Sequence, residues 1–248
     1  MRLAWCIVLG VVTAACRVDL AEVDGVFYDG DGRLVHCAVA IDHAAGNTLA
    51  SIDSALDRAA ERREVVELYA HRPDLSISLA TIEHVLAGAR DRGLAFVTYA
   101  DFAAGGGTGP GIALSFDDSD VGSWMAARAL FTAYQARVTF FVTRYGALSG
   151  RDQASIRALA DDGHDIEAHS VLHLRAPSYV EDHGLRAYLA DEAVPSIDLL
   201  RAAGYPVTAY AYPFGARTDE LDRALHKHVT ILRSVSYAED GVSDPCPR

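Results

Sequence analysis

Two carboxylates stand side by side in "GIALSFDDSD", where Asp117 and Asp118 end a run in which Ile112, Leu114 and Phe116 alternate with the smaller Ala113 and Ser115. That alternation is the period of a β-strand. Adjacent like charges are unfavourable unless something cationic or protic lies between them. Two imidazoles, His169 and His173, open and close "HSVLH" just after the strand-like "HDIEA". "YPFG", Tyr212 to Gly215, ends another apolar run, and His71 ends "VVELYA". One carboxylate with two imidazoles is a common ligand set for a catalytic divalent metal that keeps positions open for water and substrate. A dication also removes the cost of the paired acids, leaving the second Asp to handle a proton. A solvated turn explains either acid taken alone, and the HxxxH spacing is weak by itself. The argument rests on several such groups at strand ends, where parallel α/β folds keep their chemistry.

The elements that must position these groups alternate along the chain. "NTLASIDSALDRAAER" sets Leu49, Ile52, Leu56 and Ala59 on one helical face, with Asn47 or Thr48 as cap. Strand "VVELYA" follows, then a helix capped by Ser78 and stopped by Gly93, then strand "LAFVTY". After Asp120 come a helix from Trp124 to Gln135, strand "VTFFV", a helix from Ser149 to Asp162 and strand "HDIEAH". A long helix from Gly184 to Ala203, strand "VTAYAY", a helix from Thr218 to His226 and strand "VTILRSV" close the series. About seven such units predict a closed parallel barrel. "AAGGGTGPG", residues 103–111, reads as a linker inside that barrel, because only two βα units precede it.

The motifs resemble a known family. "SFDD", "HSVLH" and "AYPFG" look like the first three motifs of the polysaccharide deacetylases, carbohydrate esterase family 4, which run TFDDG, H-S/T-x-x-H and RxPYG. The resemblance implies a distorted (β/α)7-type barrel and metal-dependent removal of acetyl groups from N- or O-acetylated polysaccharide. Carried over, Asp117 is the expected catalytic base. Asp118, His169 and His173 are the expected ligands of one divalent metal, zinc first and Co2+ or Ni2+ as alternatives. The Phe214 backbone N–H is expected at the oxyanion, with Tyr212, Pro213 and Gly215 touching substrate. Ser119 replaces the motif glycine, and Ala211 stands where the family's Arg would fall, with Arg233 the candidate replacement. The remaining family motif, a strand followed by a histidine, lies upstream as "VVELYAH", and the resemblance gives His71 the role of acid for the leaving group. The order is therefore expected to be circularly permuted, with 103–111 fusing the ancestral termini and the likeness covering most of Gly46 to Ser236. A non-catalytic glycan-binding module and a metal-dependent hydrolase of another acyl or C–N bond are the alternative readings.

Bulk properties bound the rest. The chain has 248 residues, half of them apolar, with a formal net charge of −12. That charge argues against nucleic acid or an anionic membrane surface as main partner. Residues 1–15 read as a secretory signal, and Cys16 after Thr13, Ala14 and Ala15 resembles a lipobox cysteine that becomes lipidated, with ordinary signal cleavage the alternative. The expectation is an exported, monomeric protein of the bacterial cell envelope, touching membrane only through a lipid at Cys16. Residues 16–45 read as an N-terminal extension holding an extra strand pair or flap, and 46–248 as a single domain. Export allows Cys37 and Cys246 to pair, and the permuted order sets them on opposite sides of one cut, so a disulfide is expected.

Overall fold

In the computed structural model, which describes residues 19–236 and 243–246, the run that ends in the paired acids is strand β5 (Gly111–Asp118). Its neighbours are set by register. Residues Val65 to Ala70 of β3 (Val65–Ala70) pair in parallel with Gly111 to Phe116, and Ser115 to Asp118 pair with β6 (Thr139–Val142). Then follow β7 (Asp165–Ala168), β8 (Ala209–Ala211) and β9 (Ile231–Val235), each parallel to the last. β2 (Val35–Ala40) closes the ring, pairing in parallel with both β9 and β3. Seven parallel strands thus make a closed barrel, with two short strands attached to it: β1 (Phe27–Tyr28), antiparallel to β3, and β4 (Ala95–Phe96), on the start of β5.

The closure corrects the domain reading. Val35–Ala40 is not part of an extension but a barrel strand, so the seam between the last and the first barrel strand lies between β9 and β2 rather than between β9 and the first helix. Its pattern explains the choice: Cys37 and Val39 are buried on the outer side, while His36 turns inward to Glu67. Cys37, opposite Ser234 of β9, forms a disulfide with Cys246 at a Cα–Cα distance of 6.2 Å. The signal segment and Cys16 lie outside the described residues. Among those described, no helix is long and apolar enough to cross a membrane.

The helices begin where short polar side chains take up free backbone N–H groups. Thr48, Ser78, Ser149 and Thr218 cap α1 (Leu49–Arg62), α2 (Leu79–Asp91), α5 (Gly150–Asp161) and α9 (Asp219–Leu225). α4 (Val121–Tyr134) starts at Asp120, whose carboxylate accepts from Ser123 N–H, so the third acid of the opening motif is a cap. The strand expected over 94–99 is cut to two residues. Thr98 and Asp101 cap each other's backbone and start α3 (Tyr99–Ala103), which sends Tyr99 and Phe102 into the barrel interior. After α6 (Ala176–His183), the predicted long helix is α7 (Leu185–Tyr188), a π turn (Leu189–Ala193) and α8 (Val194–Ala202).

Helices and strands share a large outer core in which Trp124, Phe116, Phe131 and Phe140 are fully buried. Each such side chain contributes roughly 1.5–3 kcal/mol through burial. The barrel interior is more polar. Glu67 accepts from His36 Nδ1 (2.9 Å) and Tyr99 Oη (2.8 Å), and Glu167 accepts from the backbone N–H of Ala209 at 2.8 Å.

Candidate active site and metal centre

On a regular strand, Asp117 and Asp118 would point to opposite faces. Asp118 instead has φ of 83°, so the pleat breaks at the last residue of β5 and both carboxylates reach the C-terminal mouth of the barrel. The Asp118 carbonyl is held by Thr143 N–H at 2.8 Å. Asp117 is buried, and its Oδ2 is ion-paired with Arg233 Nη2 from β9. Ala211 and Arg233 are register partners on adjacent strands, so the guanidinium missing at 211 comes from the neighbouring strand at the same level. The Tyr69 and Phe141 rings flank it at 4.9 and 5.0 Å. Burial opposes the Arg233 charge, but Asp117 together with the Tyr99 and Tyr69 hydroxyls outweighs this and raises its pKa.

β7 delivers His169, and the loop after it returns His173. Nδ1 of His169 meets the Ala211 carbonyl at 2.9 Å. A carbonyl only accepts, so Nδ1 carries the proton and Nε2 turns its lone pair toward Asp118 Oδ1, 3.8 Å away. His173 Nε2 lies 3.2 Å from the same oxygen. The three ligand atoms fall within 4.8 Å of one another. Burial, reinforced by the Arg233 charge, lowers the His169 pKa to about 3; burial also lowers that of His173 against the pull of Asp118. Neutral imidazoles and a carboxylate with acceptor atoms aimed at one point repel each other without a cation and ligate one with it. The donor set fits a divalent metal of zinc type.

His71 ends β3, beside β5, and lines the same cleft of about 460 Å³ as Asp117, Asp118, His169 and His173. Its Nδ1–H donates to Asp42 Oδ2 at 2.6 Å, and Asp42 Oδ1 accepts from His71 N–H at 3.2 Å and from the Ser76 hydroxyl. Burial alone would lower the His71 pKa, but the bond to Asp42 and the charge of Asp117 reverse this and raise it. Asp42 was missing from the residues singled out in the sequence. It follows the apolar run "VHCAVAI", so the strand-end rule that found His71 would have found it too.

The "YPFG" residues divide. Phe214 sits in the left-handed region (φ 61°, ψ 8°), its ring half exposed and 4.7 Å from His173. Gly215 has φ of 66°, and a Cβ there would come within 2.3 Å of Val235 Cγ2, so only glycine fits. Pro213 is buried. Tyr212, expected to touch substrate, instead faces the outer core: its ring is fully buried and its hydroxyl donates to Asp222 at 2.7 Å. Only its backbone is left to border the cleft. The alternation in "AYAY" accounts for this, since Ala209 and Ala211 take the inward positions.

Comparison with solved structures finds the same fold. IcaB from Ammonifex degensii aligns with a TM-score of 0.58 at 21% identity, over 73% of this chain and 86% of that one. The Streptococcus pyogenes deacetylase PplD in complex with acetate gives 0.54 at 16% identity, over 72% and 97%. A polysaccharide deacetylase from Bacillus cereus gives 0.57 at 20% identity over 68% of this chain; only 57% of that protein's length is spanned. No curated protein matches the chain significantly. The polysaccharide deacetylase family profile matches residues 104–230, which hold the Asp117–Asp118 pair, the two histidines and the YPFG turn. With half of the sequence matched and the barrel closed around those motifs, this chain belongs to the polysaccharide deacetylase family.

Proposed function

We propose that this protein is a metal-dependent deacetylase that removes acetyl groups from N-acetylated or O-acetylated polysaccharide of the cell envelope or extracellular matrix. The observation that carries the reading is one cleft uniting a carboxylate–guanidinium pair, a metal-type triad and a carboxylate-backed histidine. A divalent cation at Asp118, His169 and His173, zinc in our reading, supplies Lewis-acid polarisation of water and of the acetyl carbonyl. Asp117 accepts the proton of the attacking water, and Arg233, ion-paired with it, orients that carboxylate. The Phe214 N–H faces the oxygen on which negative charge develops. His71, held by Asp42 through Nδ1, protonates the departing nitrogen or alkoxide. An absent Arg at 211 favours a non-catalytic module only while Asp117 lacks a guanidinium, and Arg233 supplies one.

The order of the parts supports a permuted family member: the matched region begins at residue 104, yet β2 and β3 upstream complete the same barrel and carry Asp42 and His71 to its mouth. We place the protein outside the cytoplasm, anchored through a lipid at Cys16, with an acetylated glycan as its partner.

Elemental analysis of purified protein should find one divalent metal per chain, lost in His169→Ala and His173→Ala. A panel of peptidoglycan, chitin oligomers, poly-N-acetylglucosamine and acetylxylan, followed by acetate release, should then identify the substrate. Full metal retention in both variants would remove the triad from the account.

A further inference from the structure

The metal reading leaves one question open in the backbone. His173 has φ of 65° and Ser170 φ of 68°, so the loop carrying the second imidazole is held in the left-handed region at two non-glycine positions. Such conformations persist only where surrounding contacts enforce them. Packing of the loop's own large side chain does not, since Leu172 is 56% exposed.

Backbone bonds do the holding, and they converge on the residue before His173. Leu172 N–H donates to Glu192 Oε2 at 2.9 Å, and Arg144 Nη2 donates to the Leu172 carbonyl at 3.2 Å. Further back, Thr143 Oγ1 and Arg144 N–H both donate to the Ser170 carbonyl, at 3.2 and 3.3 Å. The Ser170 hydroxyl accepts from His173 N–H at 2.9 Å.

Glu192 is the unusual member of this set. It is 0% exposed, forms no ion pair among the described residues, and its Oε1 has no hydrogen-bond partner among them. It projects from the π turn Leu189–Ala193, a local departure from α geometry of the kind that often marks a functional position. A buried, half-satisfied carboxylate is costly, and an apolar residue would serve packing better. The one hydrogen bond of the Glu192 side chain among the described residues goes to the loop that carries His173.

Resting on the metal-centre reading above, we propose that Glu192 is a positioning residue for that centre. By gripping Leu172 N–H it fixes the backbone angle of His173, and so the direction of Nε2 relative to Asp118 and His169. Arg144 holds the opposite side of the same residue. The metal affinity of the site then depends on a side chain near neither Asp118 nor the histidines in sequence.

The test is chelator-competition titration of full-length protein with Zn2+, alongside the absorption spectrum of the Co2+ form. Glu192→Gln keeps an oxygen that accepts from Leu172 N–H, whereas Glu192→Asp keeps a carboxyl group but is too short to reach. Expected are Zn2+ affinities about 10–100-fold weaker for Glu192→Asp and Glu192→Ala, and near wild type for Glu192→Gln, with the Co2+ spectrum altered and restored in parallel. If Glu192→Ala does not fold, the Asp and Gln pair decides. Wild-type affinity and spectrum in Glu192→Asp, or equal losses in Asp and Gln variants, would overturn the positioning role. A wild-type chain that binds neither Zn2+ nor Co2+ would overturn the metal centre itself.

Discussion

Asp117 and Asp118 are chain neighbours whose surroundings assign them different work. Asp117 is buried against Arg233, while Asp118 turns at φ 83° to face two imidazoles. Residue type and spacing made the pair, both histidines and His71 legible, because the acids, His169 and His71 end apolar runs and His173 follows His169 at the HxxxH spacing. Glu192 and Arg144 carried no such signal; their roles depend on hydrogen bonds to a backbone segment that spacing cannot locate. The His71–Asp42 contact yields a pH prediction. In the role proposed for it, His71 would act as an acid only while protonated, and its raised pKa keeps that form present above the ordinary value of 6.5. Activity should therefore fall as pH rises through the raised value. Asp42→Asn removes the charged acceptor and leaves burial dominant, so the alkaline limb of kcat/KM on an N-acetyl substrate should move to lower pH. Loss of the acid function should lower the rate by about 10²–10⁴-fold at most, and far less for an activated ester that leaves unprotonated. An unchanged alkaline limb in Asp42→Asn would separate His71 from the chemistry.

At the scale of elements, alternation and capping residues predicted most strands and helix starts, because both depend on local chemistry. The failures have local causes as well. The Thr98–Asp101 capping box outcompeted a strand, and Val35–Ala40 was read as part of an extension, an extra strand pair or a flap, because a barrel strand looks no different in sequence until the sheet has a vacancy for one. The junction of α5 and β7 carries its own prediction. His164 packs edge-on to Phe131 and Phe140 at 5.2 and 5.6 Å, and its Nδ1 accepts from Val138 N–H at 3.3 Å. Burial lowers its pKa from 6.5 to about 4. A depressed folded pKa contributes stability above the unfolded value, and that stability is lost as pH falls through the folded one. Chemical denaturation should thus show stability dropping between pH 6.5 and 4, with roughly 2–3 kcal/mol of the drop due to His164. His164→Gln should flatten the curve by that amount. An equally steep curve in the variant would show that other groups set the acid limb.

The whole molecule closes where its sequence is open. β2 and β9, near the two ends of the chain, pair side by side, and the Cys37–Cys246 disulfide joins residues 209 positions apart across that seam. Its pairing was anticipated from export and the permuted order, although the seam lies one strand earlier than the sequence suggested. A cross-link spanning nearly the full chain restricts the unfolded ensemble strongly, so its removal should cost about 2–5 kcal/mol. Cys37→Ser/Cys246→Ser protein should unfold at lower denaturant than the oxidised wild type, and reductant should bring the wild type to the same midpoint. Identical midpoints with and without reductant would leave the seam to strand pairing alone.

The central claim is metal-dependent deacetylation with Asp117 as base, and the most direct measurement is acetate released from an N-acetylated oligosaccharide by metal-loaded Asp117→Asn beside wild type. The account predicts steady acetate release by the wild type and loss of turnover in the variant, with the metal content of the two equal by elemental analysis, because an amide at 117 cannot take the proton from water. Acetate release at the wild-type rate by the variant would contradict it.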